Sequence, residues 1–331
     1  MQTEAIQDLF SKFDSLHVVV VGDVMLDKYW WGDIERISPE APVPIVALHH
    51  EESRLGGAAN VALNLKALGA KVSIASVIGD DANGALLTSL CADQGMDTSL
   101  LLKSKQRPTT SKIRVMSKNQ HVLRLDDEIT SELFVEEEHP FIDVVLRFLQ
   151  REKPQVLIFE DYNKGVLKEN VIQRITQHCK EIGIVTAVDP KKNNFLAYKD
   201  VDIFKPNLKE VREGLHIAIA HVDEQNLAIV HDTLHDALHH NTTFITLSEK
   251  GVYYNNGKNK ALLPCHRRNI ADVSGAGDTV IATAALVYVL TKDPALMAAI
   301  SNIAGGIVCE EVGVVPIDKA SLLKECIRLL Q

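Results

Sequence analysis

Residues 272–280 of this 331-residue chain read DVSGAGDTV, two acids bracketing a run of small residues, and the apolar run VIATAALVYVL occupies 280–290. Gly275, Ala276 and Gly277 would leave backbone N–H groups uncovered at the mouth of a helix, where unpaired donors and the helix dipole attract anionic oxygens. Asp278 would fall in the first turn and point at whatever those amides hold. A carboxylate beside an anion hole suits a base that takes a proton from a hydroxyl while the amides stabilise a phosphoryl group in transfer. The other reading is a capped turn in which Asp278 only complements the helix dipole, and GAGD alone leaves both open. No GxxxxGK[ST] occurs anywhere in the chain, which excludes a P-loop.

Such a loop needs a scaffold. LHVVVVGD (16–23) is an apolar run ending in a turn, the pattern of a central parallel strand. KVSIASVIG (71–79), PQVLIFED (154–161), GIVTAVDP (183–190), DIFKPN (202–207) and TTFITLSEKG (242–251) read as further strands, each with polar residues or glycine at its end. GGAANVALNLKALGA (56–70) and ANGALLTSLCADQG (82–95) have helical spacing, and MQTEAIQDLFSKFDSL reads as an amphipathic helix rather than a signal peptide. This alternation predicts a doubly wound, mostly parallel sheet whose ligands bind beyond the carboxyl ends of its strands. Two segments, approximately 33–54 and 109–128, break the pattern and are expected to form antiparallel strands outside the main sheet, a lid or small second sheet. No repeat or flexible linker divides the chain, so one domain over 1–331 is expected.

Composition narrows the function classes. Net charge is −9 with no dense Lys/Arg block, which argues against a nucleic-acid surface. The longest apolar stretch is about half of a membrane span, so no membrane partner and a cytoplasmic location are expected. Cys91, Cys179, Cys265, Cys309 and Cys326 are scattered without CxxC spacing and read as buried free thiols. His231, His235 and His239 recur at i, i+4, i+8, a spacing that could ligate metal, but HDTLH lacks the glutamate of HExxH and a solvated helix face is the expectation. Trp30 and Trp31 suit packing in the lid or a subunit contact better than stacking on a base.

Asp272-Val-Ser-Gly-Ala-Gly-Asp278 resembles the C-terminal signature of the ribokinase-like, or PfkB-type, carbohydrate kinases. Gly56-Gly57-Ala-Ala-Asn60-Val-Ala-Leu-Asn64 resembles their N-terminal signature, and Asn207-Leu-Lys-Glu210 their N-x-x-E element. The resemblance implies a three-layer α/β/α fold with a mostly parallel central sheet and a small β-sheet lid. It makes Asp278 the base and Gly275, Ala276 and Gly277 the anion hole. Asn207 and Glu210 would act on Mg2+ through water, and ATP would lie near Ser248, Gly251 and Asn302. Gly56 and Gly57 would let the sugar approach the backbone, Asn60 would bond a sugar hydroxyl, and Asp23 and Asp27 would bind others. Many relatives carry glycine where this chain has Ser248, and threonine where it has Val273. A potassium ion near Asp272 remains compatible, because the Val273 backbone carbonyl would be its ligand.

The front half is similar to the bacterial D-glycero-β-D-manno-heptose 7-phosphate kinases. The resemblance runs through GDVMLDKYWWGDIERISPEAPVPIV (22–46), RVMSKNQHVLRLDDE (114–128), EDYNKGVL (160–167) and DPKKNNF (189–195). It implies transfer of phosphate from ATP to the anomeric 1-hydroxyl, on the route to ADP-heptose and lipopolysaccharide core. A substrate that already carries phosphate needs fixed cations. Arg114 and Arg124 are the first candidates for the 7-phosphate, against the reading of exposed lid charges; Lys112 lies on the same segment. Asp161 and Lys164 are expected to face the sugar, while Asp126 and Asp127 could cap a turn. Many relatives fuse this kinase to an adenylyltransferase; no HxGH signature occurs here, so kinase activity alone is expected. A homodimer joined lid to lid would cover the lid edges. The alternatives are a PfkB-type kinase for another sugar, sugar acid or nucleoside, or a non-catalytic sugar-binding regulator.

Overall fold

The computed structural model describes residues 3–118 and 120–330. Met1 and Gln2 of the expected first helix, Asn119 of the 109–128 segment and Gln331 lie outside them. The strands, in chain order, are β1 His17–Gly22, β2 Val24–Ile37, β3 Pro44–Gly57, β4 Lys71–Gly79, β5 Asp97–Ser104, β6 Ser111–Ser117 and β7 Gln120–Asp127. They continue with β8 Val156–Glu160, β9 Val185–Asp189, β10 Ile203–Phe204, β11 Thr242–Thr246, β12 Val252–Asn255 and β13 Lys260–Leu263.

The central sheet has the order β13-β12-β11-β10-β9-β8-β1-β4-β5. Its strands pair in parallel except at the β11-β12-β13 edge, which is antiparallel. Strand β1 shows why two helical layers are required. Successive side chains of a strand point to opposite faces, and here Val18 and Val20 enter one apolar cluster while Val19 and Val21 enter the other. The first cluster is closed by the Thr3–Ser11, Ala58–Ala67, Ala276–Thr291, Pro294–Val308 and Lys319–Leu329 helices, the second by Val135–Glu152, Glu169–Ile182 and Glu224–Leu238. A strand buried on both faces must be apolar throughout, which is why HVVVV carries no alternation. No helix among the described residues is long and apolar enough to cross a membrane.

A separate sheet has the order β3-β2-β6-β7. It contains the two anomalous segments, with two corrections. Its first hairpin starts at Val24 and runs to Gly57, longer at both ends than 33–54, because Val24, Met25 and Leu26 are buried beneath the sheet and belong to the same strand as the exposed residues beyond them. Strands β2 and β6 pair in parallel, Leu26 opposite Ser111 through Trp31 opposite Met116, where antiparallel pairing was expected throughout. Parallel pairing requires a long crossover, and here β4, the Ala82–Asp93 helix and β5 of the central sheet supply it.

Two boundaries matter for the site. The helix expected from Gly56 begins at Ala58, since Gly56 and Gly57 end β3. The expected strand 242–251 stops at Thr246, and Ser248–Lys250 is a 3-10 turn. Ser248 has φ +52° there, a left-handed conformation that glycine adopts most readily.

Candidate active site

Gly275 caps the Ala276–Thr291 helix with φ +77°. A Cβ there would also lie 3.0 Å from Asn60 Nδ2, so glycine is required twice over. The Ala276 N–H turns back onto the Val273 carbonyl at 3.3 Å, and Thr279 N–H reaches the Gly275 carbonyl at 3.0 Å. The amides of Gly277 and Asp278 lie between these two bonds, at the helix mouth. Of the expected donors Gly275, Ala276 and Gly277, Ala276 thus has its amide engaged inside the turn.

Asp278 is buried, and its carboxylate is held on both sides. Asn60 Nδ2 donates to Oδ2 at 2.6 Å, and the Tyr162 hydroxyl donates to Oδ1 at 2.9 Å. Burial pushes its pKa up to about 6; the Asn60 bond opposes this, the nearby Asp189 charge adds to it, and the Tyr162 bond opposes it. Asn60 sits in the first turn of the helix that follows Gly57. One turn on, Asn64 Oδ1 accepts from Thr279 Oγ1 (2.9 Å) and Ile317 N (3.0 Å), locking the two motif-bearing helices together. The Asn60 amide is thus engaged with the base rather than free for a sugar hydroxyl.

The glycine pair owes its conservation of space to the protein itself. A Cβ on Gly56 would strike the Asp27 carboxylate, and one on Gly57 (φ +59°) the Asp23 carbonyl. Asp23 accepts from the backbone N–H groups of Tyr162 (2.9 Å), Lys164 (2.9 Å) and Val166 (3.1 Å). It is an anchor for the turn after β8, which corrects its expected position against a sugar hydroxyl. Asp161 is engaged likewise: it takes bonds from Asn163 N (2.7 Å), Asn194 Nδ2 (3.2 Å) and the Tyr198 hydroxyl (2.7 Å). Both carboxylates are filled by donors, most of them distant in sequence, that a strand-end rule cannot foresee.

The cations divide into two kinds. Arg114 pairs with Asp27 and lies 5.3 Å over the Tyr29 ring; Arg54, which sequence reasoning missed, lies 4.8 Å over the same ring. Lys112 and Lys164 meet at Glu128, at 2.9 and 2.7 Å. These four gather on one side of the small sheet. Arg124, directly across from Arg114 in register, is 56% exposed and pairs with Asp126 on its own strand. Asp126 therefore braces Arg124 and Lys112 rather than capping a turn. Trp31 stacks between Tyr29 and His50, with ring centroids at 5.6 and 4.9 Å, as expected of packing.

At the next corner, Asn207 caps the Leu208–Leu215 helix in a reciprocal box: its side chain accepts from Glu210 N at 2.9 Å, and the Glu210 carboxylate accepts from Asn207 N at 2.7 Å. The other Glu210 oxygen lies 2.7 Å from Lys191 Nζ, and burial, followed by the charge of Asp189, raises its pKa. Lys191 also reaches Asp189 at 3.2 Å, and the deeply buried Lys205 reaches the other Asp189 oxygen at 2.7 Å. Against the cost of burial, these two lysines hold the Asp189 carboxyl below its usual range. Glu160 is wholly buried with neither oxygen hydrogen-bonded, and burial followed by the charges of Asp189 and Asp278 raises its pKa well above the ordinary value. Ligand atoms of Glu160, Asp189 and Asp278 lie within 4.8 Å of one another, the only such grouping of His, Cys, Asp or Glu among the described residues. Tyr162, Lys191, Lys205, Asp189 and Glu160 were all missed as individuals; four of them sit at or just beyond the ends of β8 and β9, and Lys205 follows β10, where the strand-end rule alone would have found them.

A cleft of about 1070 Å³ opens beside this corner and brings together Asn207, Ser248, Gly251, Val273, Ala276, Gly277 and Asn302. Asn302 is tied to the Pro264 carbonyl at 2.9 Å. Asp272 accepts from Ser274 N (3.0 Å), Ser274 Oγ (2.9 Å) and Gly313 N (3.0 Å), bracing the loop beneath the glycines. The histidine face is corrected in part: His239 lies beyond the helix end at φ +54°, and His231, His235 and His240 cluster with ring centroids 5.7–5.8 Å apart, His231 and His240 buried and His235 exposed.

Two of the three ordered motifs thus line one cleft and the third reaches the base through Asn60, and comparison with known proteins accounts for the pattern. Residues 15–320 match the model of the pfkB family of carbohydrate kinases. The chain belongs to that family. Its relatives include proteins named Bifunctional protein HldE. That from Methylobacillus flagellatus is 41% identical over 314 residues, covering 94% of this chain and 63% of its own; that from Campylobacter curvus is 38% identical, covering 90% and 62%. This kinase therefore spans less than two thirds of the length of these relatives. In fold it is similar to phosphofructokinase-2 from Escherichia coli in complex with potassium (TM-score 0.79, 16% identity, 96% of this chain and 100% of that one). Arabidopsis thaliana ribokinase complexed with ribose and ATP has a TM-score of 0.71 at 16% identity, over 93% of this chain and 99% of that one. The fold is ribokinase-like, and the kinase is an ATP-dependent carbohydrate kinase by family.

Proposed function

We propose that this kinase transfers the γ-phosphoryl group of ATP to the anomeric 1-hydroxyl of D-glycero-β-D-manno-heptose 7-phosphate, as the cytoplasmic step toward ADP-heptose and lipopolysaccharide core. The observation that carries this reading is Asp278, fixed by Asn60 and Tyr162 at the mouth of a helix that borders the large cleft. A carboxyl of pKa about 6 is ionised at neutral pH and basic enough to take a hydroxyl proton as the phosphoryl group arrives. The amides of Gly277 and Asp278 face the developing charge. ATP would occupy the cleft along Ser248, Gly251 and Asn302.

The oxygen-rich corner fits a hard divalent ion: Asn207 and Glu210 would hold Mg2+ through water, and Glu210 already directs an oxygen at a cation, Lys191. When bound there, the ion would supply neutralisation of the phosphate charge during transfer. A potassium ion would be held near Asp272 and the Val273 carbonyl. The basic group Arg54, Lys112, Arg114 and Lys164 supports a substrate that carries a phosphate of its own, since each is held by a carboxylate that an incoming anion can replace. Homodimerisation through the small sheet is supported by Leu123 and Leu125, 52% and 44% exposed on β7.

The test is ATP consumption with Mg2+ and heptose 7-phosphate. Wild type should turn over, and Asp278→Asn should lose roughly two to four orders of magnitude in kcat. Turnover of an unphosphorylated sugar with heptose 7-phosphate ignored would retain the catalytic loop and overturn the substrate. Absence of turnover with every sugar would favour a binding regulator.

A further inference from the structure

We propose that Lys191 is a catalytic cation that meets the transferring phosphoryl group, an inference that rests on the kinase reading above. Its ammonium sits between the two ends of the reaction. On one side it lies 2.7 Å from Glu210 in the N-x-x-E element, and on the other 5.3 Å from the ring centre of Tyr162, whose hydroxyl bonds the base. A phosphoryl group that passes from a nucleotide held at Asn207 and Glu210 to a hydroxyl held at Asp278 must cross the space this ammonium borders.

The neighbouring lysine sharpens the assignment. Lys205 and Lys191 both bond Asp189, one to each oxygen, yet the Lys205 side chain is 2% exposed and that of Lys191 is 24% exposed. Lys205 serves as the permanent counter-ion of a buried carboxylate. Lys191 shares that duty, and its accessible ammonium can turn toward the cleft. Of the other cations, Arg114 is held by Asp27, Lys112 and Lys164 by Glu128, and Arg268 by Glu310 and Glu325, while Arg267 lines the cleft beside Arg268. Backbone amides at a helix mouth offer only partial charges, whereas the transition state of phosphoryl transfer spreads full negative charge over the equatorial oxygens.

In the step, the bond from the γ-phosphorus to its bridging oxygen breaks and its electron pair leaves on ADP. The sugar oxygen forms the new bond to phosphorus, and its proton passes to the Asp278 carboxylate. Lys191 remains an ammonium throughout and contributes charge alone.

The experiment sets Lys191→Met and Lys191→Gln in the full chain beside wild type, Lys205→Met and Asp278→Asn. It measures kcat, KM for both substrates, thermal unfolding, and binding of Mg·ADP with and without aluminium fluoride, which mimics the planar phosphoryl group. The expected result is a kcat lower by roughly two to three orders of magnitude, the range for loss of one preorganised charge-stabilising donor. KM should stay near wild type, Tm should fall less than in Lys205→Met because the Lys191 ammonium is the more exposed of the two, and the extra affinity conferred by aluminium fluoride should vanish. Lys205→Met, which leaves Asp189 half-paired, should instead lower Tm. A kcat within tenfold of wild type with the aluminium fluoride effect intact overturns the proposal. So does a fall in Tm matching Lys205→Met in both Lys191 variants, which would make Lys191 a structural counter-ion. A wild-type chain that turns over no sugar overturns the kinase reading itself, a result distinguishable from either.

Discussion

Asp278 illustrates the conflict between catalysis and stability at a single residue. Its pKa in the folded protein is about 6 against an ordinary 3.8. Above pH 6 the folded chain holds a buried charge that the unfolded chain would hydrate, and below pH 4 both states are protonated. The folded state is therefore penalised at neutral pH by up to about 3 kcal/mol, and the penalty fades as pH falls from 6 to 4. Asp278→Asn is expected to unfold at higher temperature than wild type at pH 7.5 and to lose that advantage near pH 4, as differential scanning calorimetry will show. Activity should depend on pH in the opposite sense, with kcat/KM rising through about pH 6 as the base ionises. Tyr162→Phe removes a hydrogen bond donated to the carboxylate, so the acid limb should move up by about one pH unit, given the worth of a bond to a charged acceptor. An unmoved limb in the Tyr162 variant would mean that this bond does not hold the base.

Among the elements, the small sheet is where charge and exposure separate neighbours that look alike in sequence. Arg114 and Arg124 stand opposite each other on β6 and β7, but only Arg114 is packed over Tyr29 and locked to Asp27. Arg124 is an exposed pair with Asp126, of a kind worth about 0–1 kcal/mol. Arg114→Ala is expected to raise KM for the phosphorylated sugar by roughly 10- to 100-fold, as loss of a charge-assisted contact should. Arg124→Ala should change it less than about threefold. Steady-state kinetics on the two variants decides between them, and equal effects would place the phosphate on the β7 side.

At the level of the whole molecule, Leu123 and Leu125 stand exposed on the outermost strand of the small sheet, where the proposed dimer would cover them. Replacing both by Lys is expected to convert the dimer to a monomer in light scattering, while Tm of the central fold changes little because neither side chain belongs to its two cores. A wild-type chain that is monomeric at micromolar concentration would refute the lid-to-lid association. The two cores themselves are built of alternate residues from the same strands, so a cavity such as Val19→Ala in β1 should cost about 1–3 kcal/mol without touching the small sheet.

Much of this organisation is local and was therefore legible in sequence. The apolar runs of β1 and β4, the glycines and acid of 275–278, and the Asn207–Glu210 box each depend on residues a few positions apart, and steric and hydrogen-bonding preferences act at that range. Distant pairings were not legible. Asn60 and Tyr162 lie 218 and 116 residues from the carboxylate they hold, and Arg114 lies 87 from Asp27. Periodicity along a strand says which face a side chain occupies but not which strand lies alongside, so the parallel β2-β6 pairing also escaped it. For the same reason Asp23 and Asp161 read as ligands for a sugar until the fold supplied their backbone and tyrosine donors. Residue types and spacing alone were enough to mark the catalytic loop, the Asn207–Glu210 box and the strand ends around which phosphoryl chemistry would be built. Which carboxylates stay available for it was settled by folding, because that depends on donors delivered by chain crossovers far away in sequence.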